Sequence, residues 1–334
     1  MAPGLPVRRR TLAKQKARFN KQGLHGRQLK VTMPPMQDAD TSPTSIDAAL
    51  LAHLQTWQGR TETRDDVLTV APVSGLSATL DRDDAPPQNG TALPPLWHWL
   101  YFLPQPRQSE IGPDGHPRRG GFLPPVPLPR RMWAGGRLRW EAGNPLQVGQ
   151  ALQRTSTIQS VKHKAGRTGD LVFVQVEHQF RNAQGLALTE EHDIVYRSAA
   201  QPGDPAPAPQ QPPLAAQAVW SRTIVPDDVL LFRYSALTFN GHRIHYDRKY
   251  VTEVEGYPGL IVHGPLIATL LLDLLRRSLP GAQVARFDFR AVRPTFDLRP
   301  FSVHGKPSAD GKTIELWAQD HEGWLTMQGT AVLF

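Results

Sequence analysis

Residues 235–275 read SALTFNGHRIHYDRKYVTEVEGYPGLIVHGPLIATLLLDLL. A polar loop carrying His242 and His245 beside Asn240 and Asp247 leads, about twenty residues later, into GLIVHGP and an apolar run. Pro265 occupies a favoured first helical position. Leu266, Ile267, Leu270, Leu271, Leu274 and Leu275 recur at helical spacing, and Leu272 makes the helix apolar nearly all round. A helix of that kind is buried. At 1.5 Å per residue, 265–277 spans roughly 20 Å. VARFDFRAVRPTFD, RPFSVHGKPS, KTIELWAQD and WLTMQGTAVLF follow, all with strand character. A buried helix wrapped by later antiparallel strands is an α+β arrangement.

The first half repeats this logic in weaker form. SIDAALLAHLQTWQ (45–58) predicts an amphipathic helix capped by Ser45 and stopped at Gly59. DDVLTVAP opens as a strand, and PVSGLSATLDRDDAPP runs into a turn-rich loop. PPLWHWLYFLP (94–104) stands where the second half has its helix, with His98 read as a packed histidine. Residues 104–136 form a long Pro, Gly and Arg-rich loop ending LPRRMWAGGRLRW, with Trp133 and Gly135-Gly136 marking it as ordered. RLRWEA, ALQRTSTIQSVKHKA, DLVFVQVEHQFRN and ALTEEHDIVYR read as strands, the last two joined by a hairpin at Asn182–Gly185. Glu190 and Glu191 are read as a solvated pair. The two halves are separated by AAQPGDPAPAPQQPPLAA, whose composition cannot bury enough surface to order itself. The expected organisation is a basic tail (1–40), an N-terminal unit (41–198), a linker (199–216) and a C-terminal catalytic unit (217–334), the whole an imperfect duplication.

The chain has 334 residues, 32 prolines, 40% hydrophobic residues and no cysteine. The missing cysteines exclude disulfides, thiolate catalysis and thiolate zinc sites. The net charge of +8 is concentrated at the start: residues 1–36 hold nine basic residues and no acids, leaving 29 basic against 30 acidic residues elsewhere, a net of −1. A nucleic-acid partner therefore has only the tail to rest on. That tail reads as disorder or an upstream start (Met33 or Met36 being the alternatives), as an organellar transit peptide, or as a nucleic-acid arm. A cytoplasmic location is expected, with mitochondria as the alternative if the tail is a transit peptide. No apolar run is long enough for a membrane span.

FNGHRIHYDRKY followed by GLIVHGPL resembles the MaoC-like, or R-specific hydratase, branch of the hot-dog fold superfamily. Those enzymes carry Gly-Asp-x-Asn-Pro-Ile-His before the hot-dog helix. On that alignment His245 matches the family histidine, Asn240 falls where an aspartate stands, His242 at the asparagine and Arg243 at the proline. SALTFNGHRIHYD and GGFLPPVPLPRRMWAGGR are similar to a narrower group: the double hot-dog mesaconyl-C4-CoA (3-methylfumaryl-CoA) hydratase-like proteins, with the mitochondrial 3-hydroxyacyl-thioester dehydratases and itaconyl-CoA hydratases. The resemblance covers roughly residues 45–334. It implies two hot-dog units in one chain, a CoA-thioester substrate, and no metal or redox cofactor. Monomer and homodimer are both open.

Adding water to a 2-enoyl thioester needs a base near neutral pKa, donors for the enolate oxygen and a proton for C2. His245 is the candidate base. Asn240 has no useful acid or base strength but can hold water. His242 is a second proton carrier or a structural histidine. Backbone N–H groups at His263 and Gly264 can meet the oxyanion, helped by the helix dipole; the His263 side chain is read as mainly structural. Arg243, Arg233, Arg131 and Arg130 are candidates for a substrate carboxylate, and Trp133 for the ligand's apolar part. Asp247 is expected to cap RKYV, and Tyr250 to pack. The competing readings are a 3-hydroxyacyl-thioester dehydratase, a non-catalytic acyl-thioester binding module, and a thioester hydrolase.

Overall fold

The computed structural model describes residues 46–166, 169–198, 208–212 and 217–334. The basic tail, Ser45 and most of the linker lie outside the described residues. The chain begins with α1 (Ala48–Gln55), β1 (Thr61–Val67) and α2 (Val70–Thr79), then a 3-10 turn at Trp97–Leu100. Four long strands follow: β2 (Arg130–Trp140), β3 (Ala151–Gly166), β4 (Gly169–Asn182) and β5 (Gly185–Arg197). The second half supplies β6 (Trp220–Ile224), α3 (Asp228–Leu237), a 3-10 turn at Arg243–His245, α4 (Arg248–Glu253) and α5 (Gly264–Ser278). It ends with β7 (Val284–Ala291), β8 (Phe301–Pro307), β9 (Thr313–Gln319) and β10 (Leu325–Leu333).

Among the described residues the strands form one antiparallel sheet, ordered β1-β3-β4-β5-β2-β7-β10-β9-β8-β6. From each outer edge inward the order is first, third, fourth, fifth, second strand of that half. The repeat is therefore topological, although the sequence shows it only faintly. The halves meet where β2 pairs with β7, Gly135 opposite Arg290 through Arg139 opposite Arg286. Gly135 and Gly136 sit at this seam because a Cβ on Gly135 would lie 2.5 Å from the Phe289 carbonyl oxygen, and one on Gly136 2.9 Å from the Phe289 ring. The strand begins at Arg130, seven residues before the sequence pattern changes, because pairing with β5 recruits what reads locally as loop, and β7 joins from Gly135 onward.

α5 lies in the core. Leu266 through Leu275 are all buried, and residues of both halves, among them Leu138, Phe180, Leu231 and Phe287, share its cluster. The apolar stripe conceals one charged member, Asp273, at 2% exposure. It accepts from Arg82 (2.6 Å), Arg222 (2.8 Å) and Arg277 (2.7 Å), so the charge is paired rather than stranded.

The segment matching α5 in the first half is reduced to the Trp97–Leu100 turn, and the helix there is α2 instead. VAPVSGLSAT carries no helical stripe. Its small residues let α2 press on α3, so that a Cβ at Gly75 would lie 2.7 Å from Leu237 Cδ2. Packing overrode the local pattern. α1 is capped by Asp47, whose Oδ1 accepts from the Leu50 N–H at 2.7 Å, and Gly59 takes a positive φ after it.

Candidate active site

The histidine loop is fixed at both ends. α3 stops at Thr238, Phe239 turns the chain with φ +48, and the Asn240 N–H donates to Ser235 O at 2.8 Å. Asn240 Oδ1 accepts from the His242 N–H at 3.0 Å, so this side chain first shapes the loop. Beyond the 3-10 turn, Asp247 caps α4 by accepting from the Tyr250 N–H at 3.0 Å.

His245 is 8% exposed, and its Nδ1–H donates to Ile261 O at 2.7 Å. That bond fixes the tautomer and leaves Nε2 as a lone-pair base. Burial pulls its pKa down to about 4, so the ring is neutral at ordinary pH. Its face stacks on His263 at 3.8 Å. His263 is fully buried and shares a 2.8 Å hydrogen bond with Ser235 Oγ. It is a support beneath His245, in keeping with the structural reading of its side chain. Gly264 is the first residue of α5, and its N–H has no acceptor among the described residues. A Cβ there would meet only Met327 Cε, at 3.9 Å. Space is open above a free amide, at the end where the helix dipole favours negative charge.

The long loop supplies two residues that sequence reasoning missed. Residues 110–118 close on themselves, Arg118 N–H to Glu110 O at 2.8 Å and Gly112 N–H to His116 O at 2.7 Å. The tip docks on the histidine loop: the Arg243 N–H donates to Asp114 O at 2.9 Å and Arg243 Nη1 to Pro113 O at 3.0 Å. Gly115 has φ +88, and a Cβ there would fall 1.8 Å from Gly241 O, so only glycine fits. The His116 ring then lies 3.9 Å from that of His242, which is 5.4 Å from His245. Asp114 accepts from the His116 N–H at 3.0 Å and shares a 3.1 Å bond with His116 Nδ1. Donor atoms of Asp114, His116 and His242 lie within 4.8 Å of one another, a set compact enough for a cation. Both Asp114 oxygens are already bonded to His116, however, so the group is built as a hydrogen-bonded pair. The sequence signal was PDGHP, a turn between prolines, with nothing to connect it to His242.

The four arginines separate. Arg243 is spent on Asp247 (3.0 and 2.8 Å) and lies over Tyr250 at 4.0 Å. Arg130 donates to Glu255 O at 3.1 Å and lies over Tyr257 at 5.0 Å. Both are structural, against the expectation of a carboxylate contact. Arg233 stands on the exposed side of α3. Arg131 is half-buried, forms no ion pair among the described residues, and faces His116, His192 and His242 closely enough that its charge disfavours their protonation. Trp133 is also corrected to packing: it meets Trp99 at 4.8 Å, His192 at 4.0 Å and Phe289 at 5.7 Å, and Nε1 donates to Gly135 O.

Glu190 and Glu191 are not a solvated pair. Glu190 is 3% exposed and is bonded to His98 Nε2 at 2.9 Å and by the Trp99 Nε1–H at 3.1 Å. Burial is the largest influence and opposes its charge, yet the His98 hydrogen bond together with His98, His178 and His192 facing it outweighs that and holds the pKa down to about 2. Glu191, on the opposite face, accepts from Arg137 at 2.7 Å. His98 is packed, as its sequence setting implied.

A repeated five-strand unit with one buried helix and a histidine loop at that helix's start defines a double hot-dog protein. Solved structures agree: a MaoC-like dehydratase superposes with a TM-score of 0.61 at 14% identity, covering 84% of this chain and 99% of that one. A Mycobacterium tuberculosis protein described as a double hot-dog fold gives 0.51 at 15%, covering 85% and 98%. Residues 96–297 match the model of hydroxyacyl-thioester dehydratase type 2, and the chain belongs to that family. It is similar to mesaconyl-C(4)-CoA hydratase of Chloroflexus aurantiacus, 47% identical over 277 residues, covering 83% of this chain and 96% of that protein. It is also similar to the mitochondrial hydroxyacyl-thioester dehydratase type 2 of Schizosaccharomyces pombe, 28% identical over 271 residues, covering 71% and 87%.

Proposed function

We propose that the chain is a CoA-ester hydratase, a hydro-lyase that adds water reversibly to a 2-enoyl thioester. The preferred acyl group is a branched C5 dicarboxylic one, such as mesaconyl-C4 or itaconyl. The observation that carries this is His245, a buried neutral imidazole with Nδ1 tied to Ile261 O, set beside the free Gly264 N–H at the start of a buried helix. As water attacks C3, His245 Nε2 takes its proton. Negative charge gathers on the thioester oxygen, where the Gly264 N–H and the α5 dipole meet it. Asn240 shapes the loop and offers its amide NH2 to water. Water addition is redox-neutral, so CoA enters only as part of the substrate, and proton transfer is assigned to imidazoles rather than to a metal-bound water.

The dicarboxylic preference rests on the similarity to the Chloroflexus enzyme and on Arg131. A guanidinium without a carboxylate partner among the described residues, facing histidines, is matched by an anionic group on the ligand. The test is a substrate panel of mesaconyl-C4-, itaconyl- and crotonyl-CoA, following loss of the enoyl absorbance. Turnover is expected, fastest with a dicarboxylic ester; no turnover of any of the three removes the enzyme assignment. Release of free CoA would indicate hydrolysis instead. The same panel run with 3-hydroxyacyl thioesters reads the reverse, dehydratase direction.

No helix among the described residues is long and apolar enough to cross a membrane.

A further inference from the structure

Water addition moves two protons: one leaves the attacking water, and one arrives at C2. His245 accounts for the first. We propose that His116, oriented by Asp114 and delivered from the first half of the chain, is the second proton-transfer residue, with His242 as the bridge between the two. The proposal rests on the hydratase reading and names a further catalytic residue for it.

Four imidazoles face one another here, from His116 through His242 and His245 to His263. Their partners differ. His263 bonds a serine, His245 a backbone carbonyl, and His242 has no side-chain hydrogen bond among the described residues. His116 alone has a carboxylate on its ring nitrogen. A single proton shared by the group is therefore held best at His116, because a fixed negative charge offsets part of the cost of a buried imidazolium. Burial works most strongly against a proton on His116, the Asp114 hydrogen bond and charge favour it, and Arg131 and Arg119 oppose it; the balance lies below an ordinary imidazole, so a proton placed there is ready to leave.

The cycle then closes with every atom placed. Water's O–H bond breaks, its proton goes to His245 Nε2 and its oxygen bonds C3. The C2=C3 electron pair moves to C2 through the enolate, and C2 takes the proton from His116 Nε2. His245 is left protonated and His116 neutral. The surplus proton passes by way of His242, whose ring is 5.4 Å from one and 3.9 Å from the other, and the starting state is restored. Docking geometry supports this role over a passive one. The turn is locked by the Gly115–Gly241 contact, the Arg243 N–H and Arg243 Nη1, which spends a whole loop on placing one carboxylate–imidazole pair against His242.

The test uses the full chain and mesaconyl-C4-CoA. Asp114→Asn keeps an oxygen for the His116 N–H, so the turn stays docked while the charge is lost. Its kcat is expected to fall roughly tenfold or more, and the alkaline limb of kcat/KM to move down by about one pH unit. His116→Gln is expected to lower kcat on the order of 10²-fold with KM little changed, and to suppress exchange of the product's C2 hydrogen in D2O to the same extent. His116→Gly should recover activity with added imidazole, which a structural role would not allow. Folded variants with near-normal kcat and an unmoved limb would overturn the assignment. So would losses confined to KM, and so would wild-type activity that EDTA removes and zinc restores, since that reassigns the three side chains to a metal. A wild-type protein that turns over no enoyl-CoA would remove the hydratase reading and this assignment with it.

Discussion

Replacing Gly264 with proline deletes one backbone N–H, and also places a substituted residue in helical conformation directly before Pro265. Position 264 is the first of α5, where proline is favoured. The preceding His263 has φ −58 and ψ 128, the extended conformation a residue before proline must adopt. The Gly264 N–H donates to no acceptor among the described residues, so the helix loses no internal bond. Stiffening of the unfolded chain favours the variant by about 0.4–1 kcal/mol, while the helical conformation before Pro265 opposes it. The melting temperature should thus stay close to that of wild type. The chemistry should suffer, because a lost oxyanion donor costs about 3 kcal/mol, roughly a 10²- to 10³-fold fall in kcat. Gly264→Ala is the control: it keeps the N–H, and its Cβ meets only Met327 Cε at 3.9 Å. The assay is kcat on mesaconyl-C4-CoA beside thermal unfolding of both variants. A well-folded Gly264→Pro enzyme within about threefold of wild type would show that this amide does not hold the oxyanion.

His245→Ala should lower kcat on the order of 10²-fold or more, measured in the same assay. Because the His245 pKa is pulled down to about 4, the acid limb of kcat/KM should lie near that value rather than near 6.5. The same depression makes folding pH-dependent. The unfolded ring protonates near 6.5, so stability is full above that pH and about 3 kcal/mol is lost as pH falls through 4, readable by urea unfolding across pH 4–8. Arg131→Gln should reduce kcat/KM for mesaconyl-C4-CoA by about 10²-fold and leave crotonyl-CoA near wild type; equal losses on both would remove Arg131 from the carboxylate site. Asp273→Asn should cost about 3–5 kcal/mol in denaturant unfolding by leaving Arg82, Arg222 and Arg277 without their shared anion. A change below about 1 kcal/mol would show that the cluster is solvated.

Much of the fold was legible. The hairpin at Asn182–Gly185 forms where the turn residues stand, and Gly185 takes the positive φ it needs. β7 to β10 follow their alternation, and α5 follows its stripe. The misreadings share a cause. α2 carries no stripe because its small residues serve close contact with α3. β2 begins early because β5, distant in sequence, pairs with its first residues. Glu190 looked exposed beside Glu191, since adjacency in sequence does not say which face meets His98.

By itself the sequence indicated a duplicated α+β chain with one buried helix and a histidine loop at its start. These follow from local periodicity, turn chemistry and a spacing of a few residues. Only the tertiary structure decided the protonation of that loop and its company. His245 is neutral because burial strips water from it. Arg243 and Arg130 are spent on near neighbours, while Arg131 forms no ion pair among the described residues. Asp114 and His116 meet His242 because a turn some 130 residues away in the chain folds onto it. Desolvation and pairing depend on every group within a few ångströms, and no linear pattern records which groups those are.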